Sequence, residues 1–289
     1  MIPIKRIVCP IDLSADSPRT LRYAVALAQT YGARLVVCHW PGKATADFGN
    51  VNELVRNQIH QALTSISLQA AGMEWECFLL ESDDLGAAVT ALAASQKADL
   101  ILMRSRRRPI AAKLLGSTAE TIAHNAPCPV LVMHPDEREW MHEATGQIHL
   151  ERVLVAVDYS SYSALALQYG LAVAQEYEAE VHLIHVLPSP TSEPEISWVG
   201  QETNAPYHVA ARRLQDSVPG EVHLWCKVKH TVKTGRPYSE ILRYAAANEI
   251  DLICLGAHGS DFTISSLFGS NVDRVLRQAQ CPVLVAHPR

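Results

Sequence analysis

Apolar residues in this chain fall into short, nearly unbroken runs, and each run is followed by a longer stretch rich in Ala and Leu. The clearest runs are KRIVCPID at 5–12, ARLVVCHW at 33–40, ERVLVAVD at 151–158 and AEVHLIHV at 179–186. Runs without polar alternation suit parallel strands covered on both faces, not strands with one wet face. The stretch SPRTLRYAVALAQTYG after the first run puts Leu21, Ala24, Val25 and Ala28 on one side at i, i+3, i+4 spacing, which predicts a helix. SYSALALQYGLAVAQEYE follows the run at 151–158 in the same way. Further helices are predicted over 51–70, 85–95, 205–216 and 238–248. Further strands are predicted over 74–80, 99–103, 223–233 and 251–255, and a last helix and a PVLV strand close each series. Regular alternation of strand and helix predicts a doubly wound α/β fold.

The series occurs twice. Lys5-Arg6-Ile7 set against Glu151-Arg152-Val153 runs on without a gap, matching Asp12 with Asp158, Ser14 with Ser160 and Ser17 with Ser163. Leu21 with Leu167, Tyr23 with Tyr169, Gln29 with Gln175, Tyr31 with Tyr177 and His39 with His185 continue the register. Later, ADLILM aligns with IDLICL, and APCPVLVMHP with AQCPVLVAHP. A period of about half the chain is far longer than a solenoid repeat. The chain therefore reads as two copies of one domain, 1–135 and 150–289, joined by the polar stretch DEREWMHEATGQIH at 136–149. A length of 289 residues fits two domains, each large enough to bury its own core. PSPTSEPEISWVGQETNAP at 188–206 reads as a surface loop, idle or acting as a lid, at the end of a strand where open α/β sheets bind ligands.

Composition narrows the function classes. A net charge of −5 makes no demand for nucleic acid or an acidic membrane as partner. No apolar run approaches the ~20 residues that span a bilayer. The opening MIPIKRIVCPID meets Asp12 before an apolar core of a secretion signal develops. The seven cysteines are odd in number and mostly set in apolar runs, as at Cys9, Cys38, Cys128, Cys254 and Cys281. Buried thiols of a cytoplasmic protein are the expectation, with no disulfide framework. No Cys/His spacing fits a metal site, and none is expected.

The candidate chemistry lies in LGAHGSDFTISSLFGS, Leu255 to Ser270. A strand ending in glycines lets bare backbone approach a ligand, and the start of a helix behind it welcomes anions. No Gly-Lys-Ser/Thr follows, so this is no Walker loop, and the spacing is not G-x-G-x-x-G. It reads as a phosphate cradle of another design. The bland readings stand beside this one: Ser270-x-x-Asp273 is also a capping sequence, and Asp158 also suits a cap of the helix after it. His258 has no carboxylate placed to orient it, so a contact role is preferred to catalysis.

Three features combine: the opening hydrophobic-x-Asp-x-Ser, the second strand ending His185-Val186, and G-x2-G-x9-G-S at Gly256, Gly259, Gly269 and Ser270 followed by CPVLV. With them the chain resembles the universal stress protein family over nearly its whole length, twice over. The resemblance implies a five-stranded parallel sheet in each copy, order 3-2-1-4-5, with ATP at the carboxyl edge. Asp158 would face adenine or ribose with Ala156 nearby, and the main chain of Val186 would meet the adenine edge. Leu255, Gly256, His258 and Gly259 would line ribose and phosphates, and Gly269, Ser270 and Asn271 would hold the outer phosphates. ATP is the expected ligand, with AMP and ADP as alternatives and Mg2+ as a companion ion. The resemblance also implies pairing of domains through their last strands, here Pro129–Met133 and Pro282–Ala286, as an intrachain pseudo-dimer. A further homodimer stays open.

The first copy departs from the pattern. Arg104 stands where Gly256 does, Arg107 where Gly259 does, Trp40 in place of Val186, and Asp83 and Leu85 in place of Gly235 and Pro237. Asp12, Gly116 and Ser117 are kept. One nucleotide per chain, in the second copy, is the expectation. RSRRR at 104–108 has two readings, a solvated basic loop or a set of forked donors for an anion or a partner's carboxylates. The expected role is that of a cytoplasmic ATP-binding regulator of the stress response and not a fast enzyme, since no Walker lysine, Mg2+ carboxylate pair or placed base accompanies the cradle. Its rivals are a slow ATPase, a scaffold with a vestigial site, and an adenylating transferase that would need His258 or Asp261.

Overall fold

A computed structural model describes residues 3–14, 17–40, 48–65, 73–105, 116–134, 140–141, 147–188, 205–258 and 270–288. The first copy runs β1 (Arg6–Ile11), α1 (Ser17–Tyr31), β2 (Arg34–His39), α2 (Phe48–Ser65), β3 (Trp75–Leu79), α3 (Leu85–Ser95), β4 (Leu100–Arg104), α4 (Ser117–Asn125) and β5 (Val130–Met133). The second runs β6 (Arg152–Ala156), α5 (Ser161–Tyr177), β7 (Glu180–Leu187), α6 (Ala205–Asp216), β8 (Val228–Thr234), α7 (Pro237–Ala247), β9 (Leu252–Gly256), α8 (Ser270–Gln278) and β10 (Val283–Ala286). The helix predicted over 51–70 begins earlier, at Phe48, and its last predicted residues lie outside those described.

The strand predicted over 223–233 is shorter than its apolar run. Gly220–Leu224 forms a 3-10 turn, with Val222 and Cys226 turned inward and Leu224 87% exposed. In an extended chain Leu224 would share the inward face with Val222 and Cys226, so its exposure marks a helical turn. Only from Val228 does the backbone join β7, with Val181 facing Val228.

All strands lie in one ten-stranded sheet of order β3-β2-β1-β4-β5-β10-β9-β6-β7-β8. Each half is parallel and follows 3-2-1-4-5. The halves meet where β5 and β10 run antiparallel, with Leu131 opposite Leu284. Every residue of these two short strands is buried, so the edge each copy would expose alone is sealed by the other. One apolar layer, under α1, α2, α5 and α6, runs through both halves, and a second does so under α3, α4, α7 and α8.

Equivalent residues repeat the same local devices. Asp99 Oδ2 accepts from the backbone N–H groups of Lys5 and Arg6, and Asp251 Oδ2 accepts from those of Glu151 and Arg152. Each carboxylate satisfies two amides where the first strand of its copy begins, which explains the Asp of ADL and IDL. Tyr31 and Tyr177, which end α1 and α5, meet across the seam. Burial first, then its neighbour Tyr177, pushes the Tyr31 phenol well above its ordinary range.

The joining stretch does more than connect. Trp140 is 3% exposed; its backbone N–H donates to Tyr23 Oη at 3.0 Å and its indole N–H donates to the Asp251 carbonyl at 2.8 Å. Met141 is also buried and bridges to Ile148. Trp140 thus ties α1 of the first copy to the start of β9 in the second.

Candidate nucleotide site

In the second copy β6 is flanked by β7 on one side and β9 on the other. Chain connections depart in opposite directions from β6 and β9, which leaves a crevice outside their carboxyl ends. Those of the predicted residues that are described lie along that edge. Ala156 ends β6, with Val157 and Asp158 directly after it; Gly256 ends β9, with Ala257 and His258 after it; Ser270 opens α8. Val186 lies in β7, half-buried, opposite Lys233 of β8. Leu255 is buried beneath the edge. Gly259 and Gly269 lie outside the described residues.

Asp158 stands two residues past the end of β6. Its Oδ1 accepts from Ser160 N–H at 3.0 Å and from Ser160 Oγ at 2.6 Å, while Ser160 Oγ caps α5 by accepting from Ser163 N–H. The cap of α5 is therefore Ser160, and Asp158 orients it. Tyr159 between them has φ +64°, and Leu13 at the same place in the first copy has φ +56°. A left-handed non-glycine residue is held only where its surroundings fix it. In both copies a histidine helps: His185 Nδ1 lies 2.6 Å from the Val157 carbonyl and His39 Nδ1 lies 3.0 Å from that of Ile11. The His185 ring also lies against Tyr159 at 4.5 Å.

Gly256 has a structural reason to be glycine. A Cβ there would stand 2.6 Å from the Tyr162 carbonyl carbon and 2.9 Å from Ser163 N. Helix α5 starts at Ser161, two residues before Ser163. The first turn of α5 leans on Gly256, while the first copy has Arg104 at that place. His258, next along, meets the Tyr162 ring edge-on at 4.9 Å, and burial holds its imidazole below the ordinary range.

Helix α8 joins the edge through Asn271, whose Oδ1 accepts from Tyr238 N–H in the first turn of α7 at 3.2 Å. Two helix starts are thereby linked at one corner. Tyr238 carries Arg274 over its ring at 4.5 Å. Sequence reasoning passed over Tyr162, Tyr238 and Arg274; only their counterparts Gly86 and Thr121, which differ in size from Tyr238 and Arg274, could have signalled the last two.

A sequence profile of the universal stress protein family matches residues 3–134 and 149–287. The chain belongs to the universal stress protein family. It is 26% identical over 298 residues to a universal stress protein of Mycolicibacterium smegmatis, covering 98% of this chain and 97% of that one. A universal stress protein of Methanocaldococcus jannaschii is 28% identical over 149 residues, 48% of this chain and 84% of its own length. The fold matches the crystal structure of a universal stress protein from Archaeoglobus fulgidus with TM-score 0.63 at 22% identity, covering 98% of this chain and 96% of that one.

In this universal stress protein the two copies also clasp through α4 and α8. Glu120 pairs with Arg277, and the equivalent positions of the opposite helices bring His124 Nε2 to 3.8 Å from Asp273 Oδ1. His287 Nε2 lies 2.7 Å from the Ala123 carbonyl. Burial, then His258 and His287, pushes His124 down to about 4. Burial and His258 push His287 to about 4 against the pull of the Ala123 carbonyl. Burial raises Asp273 to about 6, with Arg277 opposing and Glu120 adding. At neutral pH the second pair is therefore a carboxylate beside a neutral imidazole, not an ion pair.

These shifts fix a sign. As pH falls from 6.5 toward about 4 the unfolded chain takes up His124 and His287 protons that the folded chain refuses, so stability is lost. Over about 6 to 3.8 folded Asp273 keeps a proton that the unfolded chain releases, which offsets part of the loss. Two histidines outweigh one aspartate. His287→Gln is expected to flatten the fall in melting temperature across that window, measured by circular dichroism. An equal fall in both proteins would refute this origin for it.

Proposed function

We propose that the second copy binds an adenine nucleotide, ATP above AMP or ADP, and that the chain serves the stress response as a nucleotide-binding regulator and not as a fast catalyst. The observation that carries this reading is the meeting of Asp158, Gly256–His258 and the start of α8 at the crevice between β6 and β9. Asp158 would face adenine or ribose beside Ala156, and Val186 would offer its main chain to the adenine edge. Leu255, Gly256, His258 and Gly259 would line ribose and phosphates, with Gly269, Ser270 and Asn271 at the outer end. The residues fit such a ligand: Asp158 is held rigidly by Ser160, and the first amides of α8 have no intrahelical partner.

Among the described residues no group of His, Cys, Asp or Glu could hold a metal ion, so Mg2+ would arrive on the phosphates. The first copy, with Arg104 at the edge and Trp40 38% exposed at the Val186 position, would serve as the structural mate. Mass spectrometry of small molecules released by heating protein purified without additives is expected to give an adenine nucleotide. Protein that releases none, and takes up none from millimolar ATP, would overturn the reading.

A further inference from the structure

We propose that Arg236, Tyr238 and Arg274 form an anion site in the second copy that takes the terminal phosphates of a nucleoside polyphosphate. For its nucleoside this rests on the nucleotide reading above; for its anion it rests on the cluster alone. The two copies serve as each other's control. At the start of α3, Asp84 occupies the capping position and its carboxylate accepts from Ala87 N–H. At the start of α7 the same position holds Arg236, which makes no side-chain cap. The second residue of α3 is Gly86, closed tightly onto Thr121 of α4, so that no side chain fits between the helices. The second residue of α7 is Tyr238, and the Thr121 position on α8 is Arg274, whose guanidinium lies over the Tyr238 ring.

One copy is thus shut and acidic where the other is open and doubly cationic. Charge pairing sharpens the contrast. Arg277 pairs with Glu120, Arg243 with Glu240 and Arg152 with Glu249, yet among the described residues neither Arg236 nor Arg274 has a carboxylate partner. The two guanidiniums flank Tyr238 and hold its phenol below the ordinary range, Arg236 first. Guanidinium forks match phosphate oxygens in pairs, and a phenol adds a donor.

The location fits the outer end of the cradle. Asn271 follows Ser270 at the head of α8 and accepts from Tyr238 N–H, so the cluster adjoins the proposed phosphate-binding helix start. A nucleoside monophosphate, held at the Gly256 edge, would stop short of it, and a triphosphate running out to the head of α8 would reach it. The cluster therefore sets a preference for ATP over AMP.

The test titrates ATP, AMP and inorganic tripolyphosphate into full-length wild type and into Arg236→Asp/Arg274→Thr, which carries the residues of the first copy. The double variant is expected to weaken ATP and tripolyphosphate about tenfold, as lost charge-assisted contacts at an exposed site should. AMP affinity should stay unchanged. Arg236→Lys, which keeps charge without the fork, should fall between wild type and the double variant, and circular dichroism should match throughout. Unchanged tripolyphosphate binding and an unchanged ATP-to-AMP ratio in the double variant would overturn the proposal while leaving the nucleotide reading intact. Wild type that holds tripolyphosphate through these arginines but binds no nucleotide would uphold the anion site and sink the nucleotide reading.

Discussion

Trp140→Ala is expected to cost about 3–5 kcal/mol of stability, the range for emptying a buried aromatic site. The indole is 3% exposed and its N–H reaches the Asp251 carbonyl, one residue before β9. Its ring meets Tyr23 at 6.2 Å and 89°, an edge-to-face contact, and its backbone N–H takes the Tyr23 hydroxyl. The truncation leaves a cavity between α1 and β9 and strips Tyr23 and the Asp251 carbonyl of neighbours in apolar surroundings. Asp251 is also the carboxylate that fastens the start of β6, so the disturbance spreads to that strand. Trp140→Phe keeps most of the ring and loses the N–H bond, for which about 1 kcal/mol is expected. Urea unfolding measures both. A loss below about 1 kcal/mol for the alanine variant would mean that the joining stretch is a passive tether.

The second large effect separates two glycines that look alike in the sequence. Gly256→Ala puts a Cβ against the backbone of Tyr162 and Ser163, and backbone cannot step aside as a side chain can. A loss of about 1–3 kcal/mol is expected, the usual cost of overfilling a packed site. Gly259→Arg, which copies Arg107 of the first copy, should leave the melting curve of ligand-free protein unchanged and abolish ATP binding. Melting curves with and without ATP read both outcomes, because ligand bound to the folded state alone raises the midpoint. If Gly256→Ala melts like wild type, the packing of α5 on β9 has been misjudged. If Gly259→Arg still gains stability from ATP, the cradle has been.

Much of this was legible in the residues because repetition amplified it. The match of Asp12 with Asp158 and of His39 with His185 carried the domain plan, and CPVLV in both copies marked the strands that meet at the seam. Apolar runs located the strands because a parallel sheet covered on both faces leaves no polar alternation to confuse. The run before β8 misled for the opposite reason: VHLWCKV is apolar in content, but Val222 and Cys226 are buried while Leu224 between them is exposed, which no strand allows. Trp140 was illegible because DEREWMHEATGQIH is polar around it, and one aromatic in a polar stretch carries no period. The motif glycines were read as ligand-facing, yet at Gly256 close approach by α5 already forbids a side chain. Spacing records that a Cβ is unwelcome and not what would collide with it. The Tyr238–Arg274 contact was hidden because it joins two helices across an intervening strand, and neither residue belongs to a periodic pattern.

Isothermal titration of ATP into the full chain tests the account most directly, since it counts the clefts that accept nucleotide. One site per chain is the predicted stoichiometry, supplied by the half that ends in α8 and β10. Two equivalent sites, or none, would contradict it.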